Sequence, residues 1–487
     1  MADRPRNLII LCPDELRGDC AAFMGNPAIL TPHFDAFARD GVVFERHFTV
    51  FPKCVPARMN LMTGRYSHTD GYRTINQLMR PDQPNLLDRL RENGYHTALF
   101  GKNHCWDKEV FESEIDFRSH KPPSDEFMEG RPGMLDTEPD PHGAEPMDLE
   151  SGWHYVGSNT RHMPDEAYAE QAVDFLKNRR DRSRPFFLQV NFESPHPVYG
   201  VEEPWFSMYD RDEIEPWPHR LPKNAPLPMV RQREVRTGTT NRPEAVREVR
   251  CTYYGMISKV DHLFGQVVAA IDEEGLWRDT VVLFWADHGD YAGQYGLAEK
   301  WDTTFQDCLI HVHSVLRAPG LPEGVRVESL TETTDLAPTL CELLGFQPLP
   351  GMHGESLLPI IRGDRTKEAV FCEGGHEREM LERAPEEFDW AGGGDEKAGK
   401  RYAKTETYMK YPETMARAKM VRTDRYKMVI RVCGGNELYD LEEDPWEMDN
   451  RWGDPELSGV VPELLQRLVE WGLRTDPDRP YQEGFTV

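Results

Sequence analysis

Four short apolar runs, each handing over to ionisable residues, constrain this chain more than any other feature. Asn7–Cys12, His96–Phe100, Pro185–Phe192 and Thr280–Ala286 are bounded by polar or turn residues and read as buried strands. Helix-period segments lie between them. The clearest places Val246, Val249, Tyr253, Met256, Val260, Leu263, Val267 and Ile271 at steps of three or four, one apolar stripe on a long helix. Strands alternating with helices predict an α/β fold, a mostly parallel central mixed sheet sandwiched by helices.

After about residue 365 the rhythm changes. Val370–Glu373, Lys419–Thr423 and Tyr426–Arg431 read as short strands, Thr423-Asp424-Arg425 as a hairpin turn, and Glu463–Arg474 as a helix. The expected division is an N-terminal α/β domain over 1–365 and an α+β subdomain over 366–487, with a small antiparallel sheet and a helix. Residues 109–160 and 200–243 are rich in Pro, Asp, Glu and Trp and lack periodicity, so they are expected to be long surface excursions. Ala391–Gly399 (AGGGDEKAG) is expected to be a flexible insertion, and the wider segment 375–416 a surface on which a second copy packs in a homo-oligomer.

Composition narrows the function classes. Lys and Arg total 57 against 84 Asp and Glu, a net charge of −27. Such a chain is a poor ligand for a phosphate backbone, which needs a basic face, so no nucleic-acid partner is expected. An anionic substrate must instead be drawn in by a local cluster of cations. No stretch approaches ~18 consecutive apolar residues, so no membrane span is expected. Arg4 and Arg6 precede Leu8-Ile9-Ile10-Leu11, a run too short for a signal-peptide core and ended by Pro13-Asp14-Glu15. The nine cysteines are scattered, with no CxxC pair, which is thiol usage for a reducing compartment. The expected location is the cytoplasm.

The chemistry gathers at the strand ends. Asp14-Glu15 follows the first run, Lys102 and His104 the second, His196 the third and Asp287-His288 the fourth. In open parallel sheets, ligands bind outside the carboxyl ends of the strands. Asp14, Glu15, Asp287 and His288 offer carboxylate oxygens and an imidazole. Such oxygens suit hard cations such as calcium, magnesium or manganese, and the imidazole draws toward a transition metal. Lys102, His104, His196 and Lys300 offer positive charge and proton donors. A metal beside such groups is what a tetrahedral oxyanion, phosphate or sulfate, needs for binding and transfer. Cys54-Val55-Pro56-Ala57-Arg58 opens a further apolar segment. Pro56 fits a first helical turn, which puts Cys54 near a helix N-terminus, where a thiol acidifies and anions are favoured. A buried structural cysteine and a thiolate nucleophile are the two generic readings of such a residue.

CVPAR followed by MNLMTGRY resembles the signature of the type I sulfatases, Cys-x-Pro-x-Arg in minimal form. The other pieces match in order: the acidic pair after the first strand, Gly101–His104, Ser194–His196, and Asp287-His288 before Lys300. Thr334–Leu340 (TDLAPTL) and Leu438-Tyr439-Asp440-Leu441 match too, so the similarity runs from residue 7 to about 450. The resemblance implies an alkaline phosphatase-like fold and a sulfate monoester hydrolase. It implies that a formylglycine-generating enzyme converts Cys54 to formylglycine, whose hydrate is the nucleophile. By the same resemblance Asp14, Glu15, Asp287 and His288 hold one divalent cation, calcium by family default with manganese as the alternative. Arg58 and Lys102 stabilise the nucleophile and its ester. His104 is the base that releases sulfate, and His196 and Lys300 hold sulfate oxygens and protonate or stabilise the leaving oxygen. The substrate is a small-molecule or saccharide sulfate ester.

Three positions depart from the commonest pattern. Ala57 stands where Ser is usual; the converting machinery reads mainly Cys, Pro and Arg, so conversion is still expected. Glu15 stands where a second Asp is common. His288 stands where many sulfatases have Asn and the related phosphonate monoester hydrolases have His. Phosphonate monoester or phosphodiester hydrolysis with the same nucleophile is therefore the alternative, and a non-catalytic oxyanion-binding relative with unmodified Cys54 the third reading. His68 and Arg73 fit either a pocket lining or a surface. Trp106, Trp153, Trp205 and Trp301 fit packing better than substrate stacking, and Glu377-Arg378-Glu379 fits a solvated face.

Overall fold

The computed structural model describes residues 6–119, 155–158, 164–237, 243–376 and 403–476. In chain order the strands are β1 Asn7–Asp14, β2 Val42–Phe48, β3 His96–Gly101, β4 Phe117–Arg118, β5 Tyr155–Ser158, β6 Phe186–Pro195, β7 Tyr199–Val201, β8 Thr280–Trp285, β9 Ser314–Arg317, β10 Val325–Glu332, β11 Val370–Gly374, β12 Ala418–Arg422, β13 Tyr426–Arg431 and β14 Glu437–Asp440. The main sheet has eight strands in the order β10-β2-β9-β8-β1-β6-β3-β4. Only β9 runs against its neighbours; the other adjacent pairs are parallel.

Both faces of this sheet are covered, which is why its central strands read as unbroken apolar runs. On β1, Ile9 and Leu11 enter one core and Leu8, Ile10 and Cys12 the other. On β8 the split is Val282 and Phe284 against Val281, Leu283 and Trp285. The first face carries the helices Pro32–Arg39, Asp165–Asp174 and Pro243–Glu273, the last being the long helix predicted from its stripe. The second carries Cys54–Thr63, Leu86–Glu92 and Leu336–Leu344.

The second sheet is antiparallel, in the order β11-β12-β13-β14, with the predicted turn closing β12 to β13 through Thr423 N–H donating to Tyr426 O at 2.8 Å. One face packs Val370, Cys372, Met420 and Val429 on Phe305, Leu309 and Ile310 of the main body. The other lies under the helix Val460–Arg474, through Val421, Met428, Leu438 and Leu464.

Two expectations need correction. Residues 200–243 are not simply a surface excursion: Phe206, Tyr209, Trp217 and Met229 are buried, because the segment carries its own apolar anchors into the core. In 109–160, residues 109–114 belong to the helix Lys108–Glu114, Phe117–Arg118 forms β4 and Tyr155–Ser158 forms β5. Residues 120–154 lie outside the described residues, as do Ala391–Gly399, Glu377-Arg378-Glu379 and Trp153. Trp106 and Trp301 are wholly buried and Trp205 packs on the first core. Among the described residues no helix is long and apolar enough to cross a membrane.

Candidate active site

The parallel strands β1, β3, β6 and β8 all end at one edge, and that edge delivers the ionisable residues. Two glycines let the loops close there. Gly101 ends β3 at φ +102°, and a Cβ on it would lie 1.9 Å from the Asn191 carbonyl oxygen. A Cβ on Gly289, just after His288, would lie 2.0 Å from the Cys308 carbonyl oxygen. Only glycine permits either approach.

Cys54 is the first residue of the helix Cys54–Thr63, all ten of whose residues are buried. Its Sγ lies 3.2 Å from His288 Nε2 and 3.5 Å from Asp14 Oδ1. His288 Nε2 is 3.7 Å from Asp14 Oδ1 and 3.9 Å from Asp287 Oδ1. These four residues are buried, and each offers a ligand atom within 4.8 Å of the others. Arg58, one helical turn beyond Cys54, backs the group: its Nη2 reaches Asp14 Oδ2 at 3.2 Å and Asp287 Oδ2 at 2.9 Å. Lys102 Nζ meets the same Asp14 Oδ2 at 2.7 Å. The cations thus take the Oδ2 atoms and turn both Oδ1 atoms toward Cys54 and His288. Asp287 Oδ1 is further aimed by the backbone N–H groups of Glu15 and His288, each at 3.0 Å.

Glu15 lies apart from this quartet. Its Oε2 accepts from Lys300 Nζ at 2.7 Å and lies 3.3 Å from His196 Nε2, in a second group with Asp14 and His196. Its Oε1 is buried and has no hydrogen-bond partner among the described residues. Lys300 Nζ also donates to His196 Nε2 at 2.9 Å, while His196 Nδ1–H donates to Pro197 O at 2.5 Å, which defines a neutral imidazole. His104 follows β3 beside Lys102, with a buried Nδ1 that lacks a partner among the described residues. Lys102 and His196 are partly exposed at 13% and 26% of the side chain, whereas Asp14 and Arg58 are at 0% and 1%.

The charges shift each group. Burial and Asp14 push the Cys54 thiol up, but Lys300, Lys102 and His288 outweigh them and bring it down to about 6. Burial lowers His288, yet Asp287 and Cys54 raise it to about 10. Asp14 is held well below the carboxylate range, against its burial, by Lys102 and Arg58. Burial raises Glu15, with Lys300 opposing. Burial, then Lys102, drives His104 far down, and burial, then Lys300, does the same to His196. Both histidines are neutral acceptors at neutral pH.

The donor set fits a divalent cation. Two carboxylates and one imidazole converge with one oxygen or nitrogen each turned inward, and His288 Nδ1–H is spent on Gly289 O at 3.0 Å, so Nε2 is the ligand atom.

Several supporting residues carried little sequence signal. Asp165 receives the backbone N–H groups of Glu193 at 2.6 Å and Ser194 at 3.0 Å and so sets the loop bearing His196. Lys53 forms a wholly buried ion pair with Asp302, beside Cys54 and Lys300. Asp290 accepts from Tyr199 Oη at 2.5 Å, which in turn accepts from the Glu299 N–H at 2.9 Å. Only Asp290 was within reach of the sequence, three residues past Asp287 on the same strand end. His68 and Arg73 converge on buried Glu373, at 2.9 and 3.4 Å, instead of on the quartet.

A doubly covered, mostly parallel sheet thus carries a quartet of two carboxylates, an imidazole and a thiol at its carboxyl edge, in a chain whose relatives are of the alkaline phosphatase superfamily. The family model Sulfatase matches residues 6–346, and the chain belongs to that family of sulfuric ester hydrolases. A second model, N-sulphoglucosamine sulphohydrolase, C-terminal, matches residues 394–473. The chain is 26% identical to the multifunctional alkaline phosphatase superfamily protein PehA of Trinickia caryophylli, covering 96% of this chain and 95% of that one. It is 25% identical to the choline-sulfatase of Rhizobium meliloti, covering 92% and 83%. Among solved structures it resembles the phosphonate monoester hydrolase of Agrobacterium radiobacter, with a TM-score of 0.76, 25% identity and coverage of 97% and 96%.

Proposed function

We propose that this chain hydrolyses a sulfate monoester, of a small molecule or a saccharide, at residue 54 in its formylglycine form, with a divalent cation held by Asp14, Asp287 and His288. One observation carries the reading: Cys54 Sγ sits on His288 Nε2 and Asp14 Oδ1 at 3.2 and 3.5 Å, at a helix N-terminus, inside a ring of Arg58, Lys102 and Lys300. A cation held by these residues, calcium or manganese, would supply Lewis acidity at the site. In its formylglycine form residue 54 would supply, as a hydrate, a second hydroxyl that a serine lacks.

The remaining roles belong to the chain. Arg58 fixes both carboxylates and keeps their Oδ1 atoms inward. Lys102 Nζ and Lys300 Nζ offset the charge that builds on the transferring oxyanion. Lys300 holds the proton between Glu15 and His196, next to where the leaving oxygen departs, and His196 Nδ1–H is locked on Pro197 so that Nε2 stays turned to Lys300. His104, neutral and with an open Nδ1, takes the proton when sulfate leaves. Glu15, outside the quartet, holds Lys300 through Oε2.

His288 supports a second reading, phosphonate monoester or phosphodiester hydrolysis, since an imidazole stands where many sulfatases carry an amide. Turnover of an aryl sulfate, an aryl phosphonate monoester and an aryl phosphodiester by the converted enzyme decides. The proposal expects the highest kcat/KM on the sulfate; higher values on the phosphonate favour the second reading, and no turnover of any refutes both.

A further inference from the structure

The thiol form of the protein presents a different metal site from the converted form. We propose that, before conversion, Cys54 Sγ, His288 Nε2, Asp14 Oδ1 and Asp287 Oδ1 form a tetrahedral site for a thiophilic divalent ion of the zinc class, so that conversion of residue 54 also switches the metal preference of the site.

The geometry is the first support. Around zinc, with a bond to sulfur of about 2.3 Å and bonds to nitrogen and oxygen of about 2.0–2.1 Å, tetrahedral angles place nitrogen and oxygen atoms about 3.3–3.4 Å apart and sulfur about 3.5–3.6 Å from each of them. The observed separations are 3.2 Å for Sγ to Nε2, 3.5 Å for Sγ to Asp14 Oδ1, and 3.7 and 3.9 Å for Nε2 to the Oδ1 atoms of Asp14 and Asp287. Sγ to Asp14 Oδ1 already fits, Sγ to Nε2 opens by about 0.3 Å, the two Nε2 to Oδ1 separations close by about 0.3–0.6 Å, and the two remaining edges start within 4.8 Å.

Orientation is the second. Arg58 and Lys102 occupy the Oδ2 atoms, the backbone N–H groups of Glu15 and His288 fix Asp287 Oδ1 in place, and the Gly289 carbonyl holds His288 with Nε2 inward. Such outer contacts are what fix a metal-binding carboxylate or imidazole. Charge is the third: two carboxylates and a thiolate against a divalent ion leave one negative charge, which the adjoining Arg58 and Lys102 offset.

Ligand softness then gives the switch. Thiolate with imidazole selects zinc or cobalt, whereas calcium takes oxygen ligands. Replacing the sulfur by the oxygens of a hydrated aldehyde removes the soft ligand and leaves a harder site. The inference shares ligands with the proposed hydrolytic site, but it concerns the unconverted chain, on which no hydrolysis is scored.

The test uses the full chain made by cell-free translation without a converting enzyme, with the Cys54 thiol verified by peptide mass. Cobalt(II) serves as the spectroscopic stand-in. The expected result is one equivalent of cobalt bound, with a near-ultraviolet sulfur-to-cobalt charge-transfer band that zinc abolishes by displacement and excess calcium does not. Cys54→Ser and Cys54→Ala, checked for folding by circular dichroism, and the converted protein should all lack the band. Zinc should bind the thiol form on the order of 100-fold more tightly than Cys54→Ser. Cobalt binding without the band, or a band that survives in the folded variants, overturns the proposal. Neither result bears on whether the converted enzyme hydrolyses sulfate esters.

Discussion

Arg58→Met separates the structural from the chemical role of the buried guanidinium. Arg58 is 1% exposed and pairs with Asp14 and Asp287, both at 0%. Methionine keeps the aliphatic volume and removes the charge. Asp14 retains Lys102 at 2.7 Å, but the nearest remaining cationic group to Asp287 is His288, 3.9 Å away. Removing one partner of a buried pair costs about 3–5 kcal/mol, because the other charge is left unpaired in a low dielectric. A divalent cation in the quartet restores that charge. At about 100 times its Kd it contributes about 2.7 kcal/mol to the folded state, and by linkage more to the variant than to the parent. Urea unfolding followed by tryptophan fluorescence, in chelator and in saturating metal, reads the difference. The expected outcome is a loss of about 3–5 kcal/mol in chelator and about half that or less in metal, with activity absent in both. Peptide mass on residue 54 shows how much of the lost activity reflects failed conversion. An equal loss with and without metal, or a loss below about 1 kcal/mol in chelator, would show that Arg58 does not neutralise the metal-binding carboxylates.

Cys54→Ser should lose multiple turnover, because its sulfate ester has no second hydroxyl to expel sulfate; near-normal steady-state turnover would exclude the formylglycine mechanism. A chelator that strips the cation should abolish activity, with recovery on adding calcium or manganese, and unchanged rates in metal-free protein would remove the cation from the mechanism. Buried His47 and His313 are both held down to about 3, chiefly by desolvation, against 6.5 when unfolded. Their neutral forms favour folding fully above pH 6.5, and between 6.5 and 3 the unfolded chain binds two more protons, so stability should fall by about 2.7 kcal/mol per pH unit from these groups. His47→Gln with His313→Phe should flatten that acid slope in urea titrations at several pH values, and an unchanged slope would show that these imidazoles are not what couples folding to acid. Lys300→Ala should slow substrates with poor leaving groups far more than those with good ones, and equal slowing of both would place Lys300 away from the departing oxygen.

Much of this was legible in the chain alone. The doubly apolar runs of β1, β3, β6 and β8 record burial on two faces, and the stripe of Pro243–Glu273 records the apolar side of a helix whose middle, 251–261, is buried all round; each is a local pattern. The ionisable residues after those strands were visible for the same reason, since a strand end is a position in sequence. The interrupted pattern of Val325–Glu332, whose residues alternate irregularly between buried and exposed, and the four-residue strand Ser314–Arg317 were not legible, because too few residues carry a period.

What tertiary structure alone decided is pairing at the sheet edge. Asp14 and Asp287 stand 273 positions apart, yet one guanidinium holds both because β1 and β8 lie side by side in parallel register. Glu15, next to Asp14 in sequence and with a backbone φ of +69°, turns instead to Lys300 and His196. Asp165 supports the His196 loop only because a helix across the sheet carries it there. Sequence determines which groups reach the edge. Which oxygen faces which cation depends on distances of a few ångströms between segments hundreds of residues apart, and no local pattern records those distances.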